Sequence, residues 1–265
     1  MEPGDTPSVS LANGDRMPLL GFGTWQLRGQ VAYRSTRAAL DVGYRLIDTA
    51  TNYGNEAEVG RAIADSGVPR DRLFVTTKLP PDHAGREQAT IEASLDALGL
   101  ERVDLWLVHW PPADRLVVRT WERFVALRDA GYATSIGVSN FSLRQIDELI
   151  RATGEAPAVN QIPWAPSRFD PEVLRATRER GVVLEGYSPF KHTNLQAPEL
   201  VRIANRHRVS TAQVVLRWHV QHRVVAIPKS ATPARIAENF AVWGFELDDE
   251  EMRTLDGFGR GARRR

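Results

Sequence analysis

Asp48, Tyr53, Lys78 and His109 bring a carboxylate, a phenol, an ammonium and an imidazole into the first half of the chain. Brought together, such groups could deliver a proton. A free tyrosine has a pKa of ~10 and is a weak acid near neutrality. An ammonium beside it stabilises the phenolate and lowers that pKa. A carboxylate such as Asp48 would hold the ammonium charged and in place. His109 could hydrogen-bond a substrate oxygen, orienting it or relaying a proton. Lys78 stands out further because the chain has only three lysines against thirty-one arginines. Two of the three close apolar runs, Leu73-Phe-Val-Thr-Thr-Lys78 and Val224-Val-Ala-Ile-Pro-Lys229. Lysine is a compact point charge with an adjustable pKa, and arginine a rigid planar fork. Lys78 tuning an acid and Lys229 meeting a phosphate would account for both exceptions. Taken singly, Asp48 also reads as a helix cap or ion-pair partner, His109 as structural and Tyr53 as loop packing. Their order and spacing together are what is specific.

To converge, these side chains need a common scaffold. Short β-branched runs alternate with amphipathic stretches from about residue 30 onwards. Runs at 45–49, 73–77, 103–108, 135–139, 158–161, 182–187 and 224–227 read as strands. Stretches at 31–42, 56–66, 86–98 and 116–130 read as helices. Gly43, Gly67, Gly99, Gly131, Gly154 and Gly181 follow helical stretches, where a left-handed cap would fall. An early strand near 19–22 brings the strands to eight. Strands buried on both faces and separated by helices imply a parallel sheet. Eight βα units in 265 residues fit a closed (β/α)8 TIM barrel. A doubly wound sheet would place a glycine-rich phosphate turn after its first strand, and Gly21-Phe-Gly-Thr-Trp25 lacks the third glycine. In a barrel, chemistry gathers at the carboxyl ends of the strands. Asp48 with Tyr53, Lys78 and His109 fall after strands two, three and four. Ahead of the barrel, two short runs around Asn13-Gly14 predict a type I′ hairpin capping its N-terminal mouth. A single domain over residues 1–265 is expected, with the barrel over about 19–258 and a flexible basic tail over 259–265.

Composition narrows the function. A hydrophobic fraction of 42% supports a large core, and a net charge of +1 gives no general pull towards nucleic acid or membrane. The absence of cysteine excludes disulfides, cysteine zinc sites and thiol nucleophiles, and no metal site is expected. The N-terminal residues show no signal-peptide pattern, and no apolar run approaches a membrane span. A cytoplasmic location is therefore expected. The arginine-rich end reads as a solvated tail.

Several motifs occur in order. Gly43-Tyr-Arg-Leu-Ile-Asp-Thr-Ala50, followed by Tyr53-Gly-Asn-Glu56, resembles the signature of the aldo-keto reductases. Leu105-Trp-Leu-Val-His-Trp-Pro111, Ser135-Ile-Gly-Val-Ser-Asn-Phe141, and Ile227-Pro-Lys-Ser230 with Arg235-Ile-Ala-Glu-Asn239 resemble further motifs of that family. The resemblance runs from about Val9 to Phe258 and is closest to the bacterial branch that includes 2,5-diketo-D-gluconate reductases. It implies NADPH-dependent reduction of a small-molecule aldehyde or ketone by hydride transfer. Tyr53 would donate the proton, Lys78 and Asp48 would tune it, and His109 would orient the substrate. The family's cofactor positions match Thr24, Ser139, Asn140, Gln161 and Ser188, with Tyr187 stacking on the nicotinamide. Lys229, Ser230 and Arg235 would meet the adenosine 2′-phosphate. Two cations and a hydroxyl beside a helix start suit that dianion. Glu238 and Asn239 match the adenine-contacting positions. Without the preceding Pro-Lys-Ser, Arg235 and Glu238 would read as an exposed i,i+3 pair. Trp25 and Trp110 would wall the substrate site, which suits apolar or aromatic carbonyls. The family implies a monomer.

After Gln161 the family usually carries a glutamate and a His-Pro pair, whereas this chain reads Ile162-Pro-Trp-Ala-Pro-Ser167. Pro163 removes a backbone donor, and Trp164 is expected to add bulk near the substrate mouth. The segment after Tyr187, residues 188–195, is short for a cofactor-clamping loop. It predicts a weaker grip on the pyrophosphate, partly offset by Lys191. Two other function classes compete. A Schiff-base lyase would use Lys78 as nucleophile, but Asp48 would keep that amine charged. A non-catalytic NADPH-binding module would leave the complete tetrad without a task.

Overall fold

A computed structural model of the chain describes residues 6–259, and the basic run 260–265 lies outside the described residues. The first two strands, β1 (Ser8–Ser10) and β2 (Arg16–Pro18), form an antiparallel hairpin. Strands and helices then alternate: β3 (Gly21–Gly23), α1 (Gly29–Val42), β4 (Leu46–Asp48), α2 (Glu56–Ala64), β5 (Phe74–Leu79), α3 (Glu87–Leu98), β6 (Val103–Val108) and α4 (Asp114–Asp129). The second half continues with β7 (Ala133–Ser139), α5 (Leu143–Thr153), β8 (Val159–Pro163), α6 (Pro171–Glu179), β9 (Val183–Tyr187), α7 (Pro198–His207), α8 (Thr211–Gln221), β10 (Val225–Ala226), α9 (Pro233–Phe240) and α10 (Asp249–Asp256). Strands β3 to β10 lie in sequence order, every neighbouring pair parallel. A parallel bridge from Leu20 to Ala226 joins the two ends, so the sheet is the expected (β/α)8 barrel. Among the described residues, two helices follow β9 and two follow β10, the first of the latter pair, α9, carrying Arg235.

Alternation along each strand divides the apolar residues into two cores. Leu46, Leu105, Leu107, Val159, Val225 and Ile227 point inward and pack with Leu11, Met17 and Leu19 from the hairpin region. The outer rows, including Ile47, Val75, Trp106 and Ile136, pack against helices. Trp106 stacks on Phe124 of α4 with ring centres 3.7 Å apart. Helix α5 starts at a reciprocal capping box between Ser142 and Gln145, and α3 ends at Gly99 in a left-handed conformation (φ 66°). At the seam, a Cβ on Gly23 would stand 2.9 Å from the Ile227 carbonyl oxygen, so only glycine lets β3 approach β10 this closely.

The hairpin caps the N-terminal mouth as expected. Asn13 Nδ2 donates to Ser135 Oγ at 2.9 Å and to the Thr134 carbonyl at 3.1 Å, near the start of β7. Its turn differs from the expected two-residue type I′. Ser10 pairs with Arg16, leaving residues 11–15 in the loop, and there only Gly14 has a positive φ, 90°. A type I′ turn needs positive φ at both central residues. Asn13 instead spends its side chain on the barrel floor. No helix among the described residues is long and apolar enough to cross a membrane.

Candidate active site

Lys78 lies inside β5, one residue before its end, and is fixed by the ladder that pairs it with Leu107 of β6. Its Nζ donates to Asp48 Oδ1 at 2.7 Å and to the Thr49 carbonyl at 2.7 Å, and reaches the Tyr53 hydroxyl at 3.4 Å. The Lys78 side chain is 0% exposed and that of Asp48 3%. Tyr53 sits in a single helical turn, Thr51–Tyr53, between β4 and α2. Asn55 ties that turn down, accepting from Thr49 Oγ1 at 2.7 Å and donating to the carbonyls of Thr24 and Leu27 at 3.0 and 2.9 Å. His109 follows β6, and its ring meets that of Tyr53 in a T-shaped contact at a centre distance of 5.7 Å. The four sequence-predicted groups thus converge, and the order along the barrel is the one the strands impose.

Their electrostatics follow from burial. Burial pushes the Lys78 ammonium down, but the Asp48 carboxylate and the Tyr53 oxygen outweigh it, and the net shift is upward. Lys78 is therefore a firmly charged donor with all three N–H bonds directed, not an amine free to attack a carbonyl. For Tyr53, burial raises the pKa, Lys78 lowers it and Asp48 raises it. The net direction is upward, opposite to the expected lowering. Lys78 does act in the expected sense, but Asp48 opposes it and desolvation of the phenolate outweighs it. Tyr53 is consequently a protonated phenol near neutral pH. His109 is lowered to about 3 by burial and then by the Lys78 charge, so its ring is neutral near neutral pH. Its Nδ1 is buried without a hydrogen-bond partner.

These groups open onto a cavity of about 660 Å³ at the carboxyl ends of the strands. Ser139, Asn140, Gln161, Tyr187 and Ser188 line it with Asp48, Tyr53 and His109. Asn140, at a φ of 64°, donates to the His109 carbonyl and Ser139 Oγ, both at 3.0 Å, and accepts from the Tyr187 hydroxyl at 2.9 Å. Gln161 Nε2 donates to Asp48 Oδ2 and to Glu185 Oε2, both at 2.9 Å. Trp25 and Trp110 also line the cavity and are 50% and 48% exposed. Lys191 joins the lining through a tight turn in which its N–H donates to the Ser188 carbonyl at 3.1 Å.

Lys229 lines the cavity and is exposed. Ser230, Arg235, Glu238 and Asn239 lie outside the lining, at and along α9. Ser230 Oγ accepts from the Thr232 N–H at 3.0 Å, and Arg235 projects into solvent without pairing with Glu238. Thr24 faces the other way: it is fully buried, and its hydroxyl donates to the Asp48 carbonyl at 2.9 Å. Trp164 corrects an expectation. It is 2% exposed and packs edge-on against Phe169 rather than reaching the substrate mouth. The reason is Gly186 on the neighbouring strand, where a Cβ would meet the Trp164 Cβ at 2.9 Å. Pro163 is the last residue of β8. Among the described residues, no cluster of His, Cys, Asp and Glu could hold a metal ion.

Sequence reasoning missed Glu185. It is fully buried on β9, its Oε1 has no partner, and burial followed by the Asp48 charge pushes its carboxyl up to about 8. The available signal was an acid in an apolar run, two residues before Tyr187 and therefore on the same face.

Comparison with known proteins agrees with this fold. The sequence model described as the Aldo/keto reductase family matches residues 19–260. An aldo-keto reductase of Mycolicibacterium vanbaalenii is 44% identical over 261 residues, covering 97% of this chain and 94% of its own length. A morphine 6-dehydrogenase of Pseudomonas putida is 42% identical over 278 residues, covering 98% and 94%. Among solved structures, an aldo/keto reductase from Brucella melitensis superposes with a TM-score of 0.91 at 40% identity, covering 96% of this chain and 99% of the other. A Bombyx mori aldo-keto reductase in complex with NADP superposes with a TM-score of 0.90 at 32% identity, covering 96% and 92%. With its barrel, its strand-end groups and this degree of identity along nearly its whole length, the chain belongs to the aldo-keto reductase family.

Proposed function

We propose that the chain reduces an aldehyde or ketone to an alcohol with NADPH as the reductant, and that Tyr53 is the proton donor. The observation that carries this is the wiring of Lys78 to Asp48 at 2.7 Å and to Tyr53 at 3.4 Å, opening onto a cavity lined by Ser139, Asn140, Gln161 and Tyr187. That lining suits a nicotinamide, with amide and hydroxyl groups for its carboxamide and the Tyr187 ring for its face. When bound, the cofactor supplies the hydride.

Tyr53 then supplies the proton to the carbonyl oxygen, and Lys78 stabilises the phenolate left behind. Asp48 keeps Lys78 charged and aimed. His109, neutral, hydrogen-bonds the substrate oxygen and orients it. Lys229, Ser230 and Arg235 would hold the 2′-phosphate, with Glu238 and Asn239 at the adenine, which favours NADPH over NADH. The Bombyx mori complex with NADP supports the same preference. Trp25 and Trp110 favour apolar or aromatic carbonyls, and the morphine 6-dehydrogenase relative is in keeping with carbonyl–alcohol exchange. We take the protein to act as a single-domain monomer.

The test is NADPH oxidation against a panel of aromatic and aliphatic aldehydes and dicarbonyls, with wild type and Tyr53→Phe side by side. Turnover is expected to fall by about 10²–10⁴-fold in the variant, with NADPH binding unchanged. Equal turnover in both proteins would remove Tyr53 from the reaction, and absence of NADPH binding would overturn the cofactor assignment.

A further inference from the structure

Gln161 sits between two carboxyl groups. Its Nε2 donates to Asp48 Oδ2 and to Glu185 Oε2, each at 2.9 Å. A primary amide carries two N–H bonds on one nitrogen and a carbonyl oxygen that diverges from them. One hydrogen bond fixes only a point about which the amide can pivot. Two bonds to fixed carboxyl oxygens fix its plane, and with it the direction of Oε1. Asp48 is held by Lys78, and Glu185 is held by the ladders that pair it with Gln161 on β8 and with Val225 on β10. Proton handling makes no direct use of Glu185, because the Lys78 N–H bonds go to Asp48, Thr49 and Tyr53. Burying a carboxyl group is costly, and Glu185 is 0% exposed with Oε1 unpartnered.

We propose that Glu185 is a positioning residue for the cofactor, holding the Gln161 amide so that its Oε1 faces the cavity as an acceptor for the carboxamide N–H2 of the nicotinamide. This inference rests on NADPH being the cofactor. With a side chain at 185 that cannot accept, the amide swings on its single bond to Asp48 and Oε1 leaves the direction of the ligand. The role is geometric: it asks only for an acceptor oxygen at that place and not for a charge.

The test compares binding of NADP+ with binding of its 3-acetylpyridine analogue, in which a methyl group replaces the carboxamide N–H2. Dissociation constants are read from quenching of protein tryptophan fluorescence. Wild type is expected to prefer NADP+ by about tenfold, the effect of one hydrogen bond lost to an acceptor left unsatisfied. Glu185→Met, similar in length but unable to accept, is expected to bring the preference to within about twofold. Glu185→Gln keeps an acceptor oxygen and is expected to restore it. A wild-type preference in the Met variant, or its loss in the Gln variant, would overturn the proposal. If wild type binds neither dinucleotide, NADPH is not the cofactor and the proposal falls with it.

A second measurement covers failure of the Met variant to fold. In wild type with 15N-glutamine labelling, the two side-chain protons of Gln161, identified by their absence in Gln161→Leu, are expected to be distinct and slow to exchange with solvent. Rapid exchange or averaging would mean that the amide is not held, and would overturn the proposal.

Discussion

Lys78→Met removes the central charge while keeping most of the side chain's length and volume. The Lys78 side chain is 0% exposed, so the substitution takes away three directed N–H bonds from a fully buried position. Packing changes little in such a volume-conserving exchange. The loss is electrostatic: Asp48 keeps the Gln161 bond on Oδ2, but its Oδ1 and the Thr49 carbonyl lose their donor. Removing one partner of a buried pair costs about 3–5 kcal/mol, because the other charge stays behind uncompensated. Domains of ordinary stability hold about 5–15 kcal/mol, so the variant should fold with a thin margin.

Removing the second charge as well should return most of that loss. Lys78→Met combined with Asp48→Asn leaves a neutral amide in place of the carboxylate, and the total cost should fall to about 1–2 kcal/mol. A double-mutant cycle from urea unfolding of the four proteins should therefore give a coupling of roughly 2 kcal/mol or more. Additive effects, or a single-variant cost under about 1 kcal/mol, would refute the ion pair as the organiser of the site. The measurement needs no cofactor or substrate, so it stands apart from the assigned activity.

Two further outcomes follow from the same geometry. Glu185 is raised from 4.5 to about 8, so the folded protein holds its proton where the unfolded chain has released it. Its contribution to stability is full below the unfolded value and is lost as pH rises through about 8. Glu185→Gln should therefore gain on wild type across that window, read as a growing gap between urea midpoints, and parallel pH profiles would contradict it. Arg235→Ala should weaken NADPH binding by about tenfold, the scale of one exposed charge-assisted contact, while leaving NADH within about twofold. Equal effects on the two cofactors would separate Arg235 from the 2′-phosphate.

Asp48, Lys78 and His109 could be read in the sequence because strand ends in a barrel all face one mouth, so order along the chain becomes position around a ring. Tyr53 required the neighbouring motif, since nothing in its own turn shows that Asn55 reaches Thr24 and Leu27. Glu185 stayed hidden because its partner comes from register: Gln161 is opposite it only once β8 and β9 are paired. The pull of Lys78 on Tyr53 was legible, but the direction of the shift was set by burial, which has no sequence signature. Trp164 was misplaced because the space it occupies belongs to Gly186, on another strand. The Asn13-Gly14 turn departed from its local preference because Asn13 found acceptors at Thr134 and Ser135, far along the chain. Local signals placed the elements, and contacts between distant elements decided what each side chain does.

The barrel is also a split ring. Strand β10 offers two residues to β9, and between β10 and β3 the ring is joined by the Leu20–Ala226 bridge and a few backbone bonds. The opposite wall, β5 to β7, is long, continuous and in full register. A hoop is weakest where it is thinnest, and Trp25 and Lys229, which line the cavity, stand just beyond the two strands of the seam. Lys78 belongs to the stiff wall and His109 follows directly from it, so their spacing is set away from the seam.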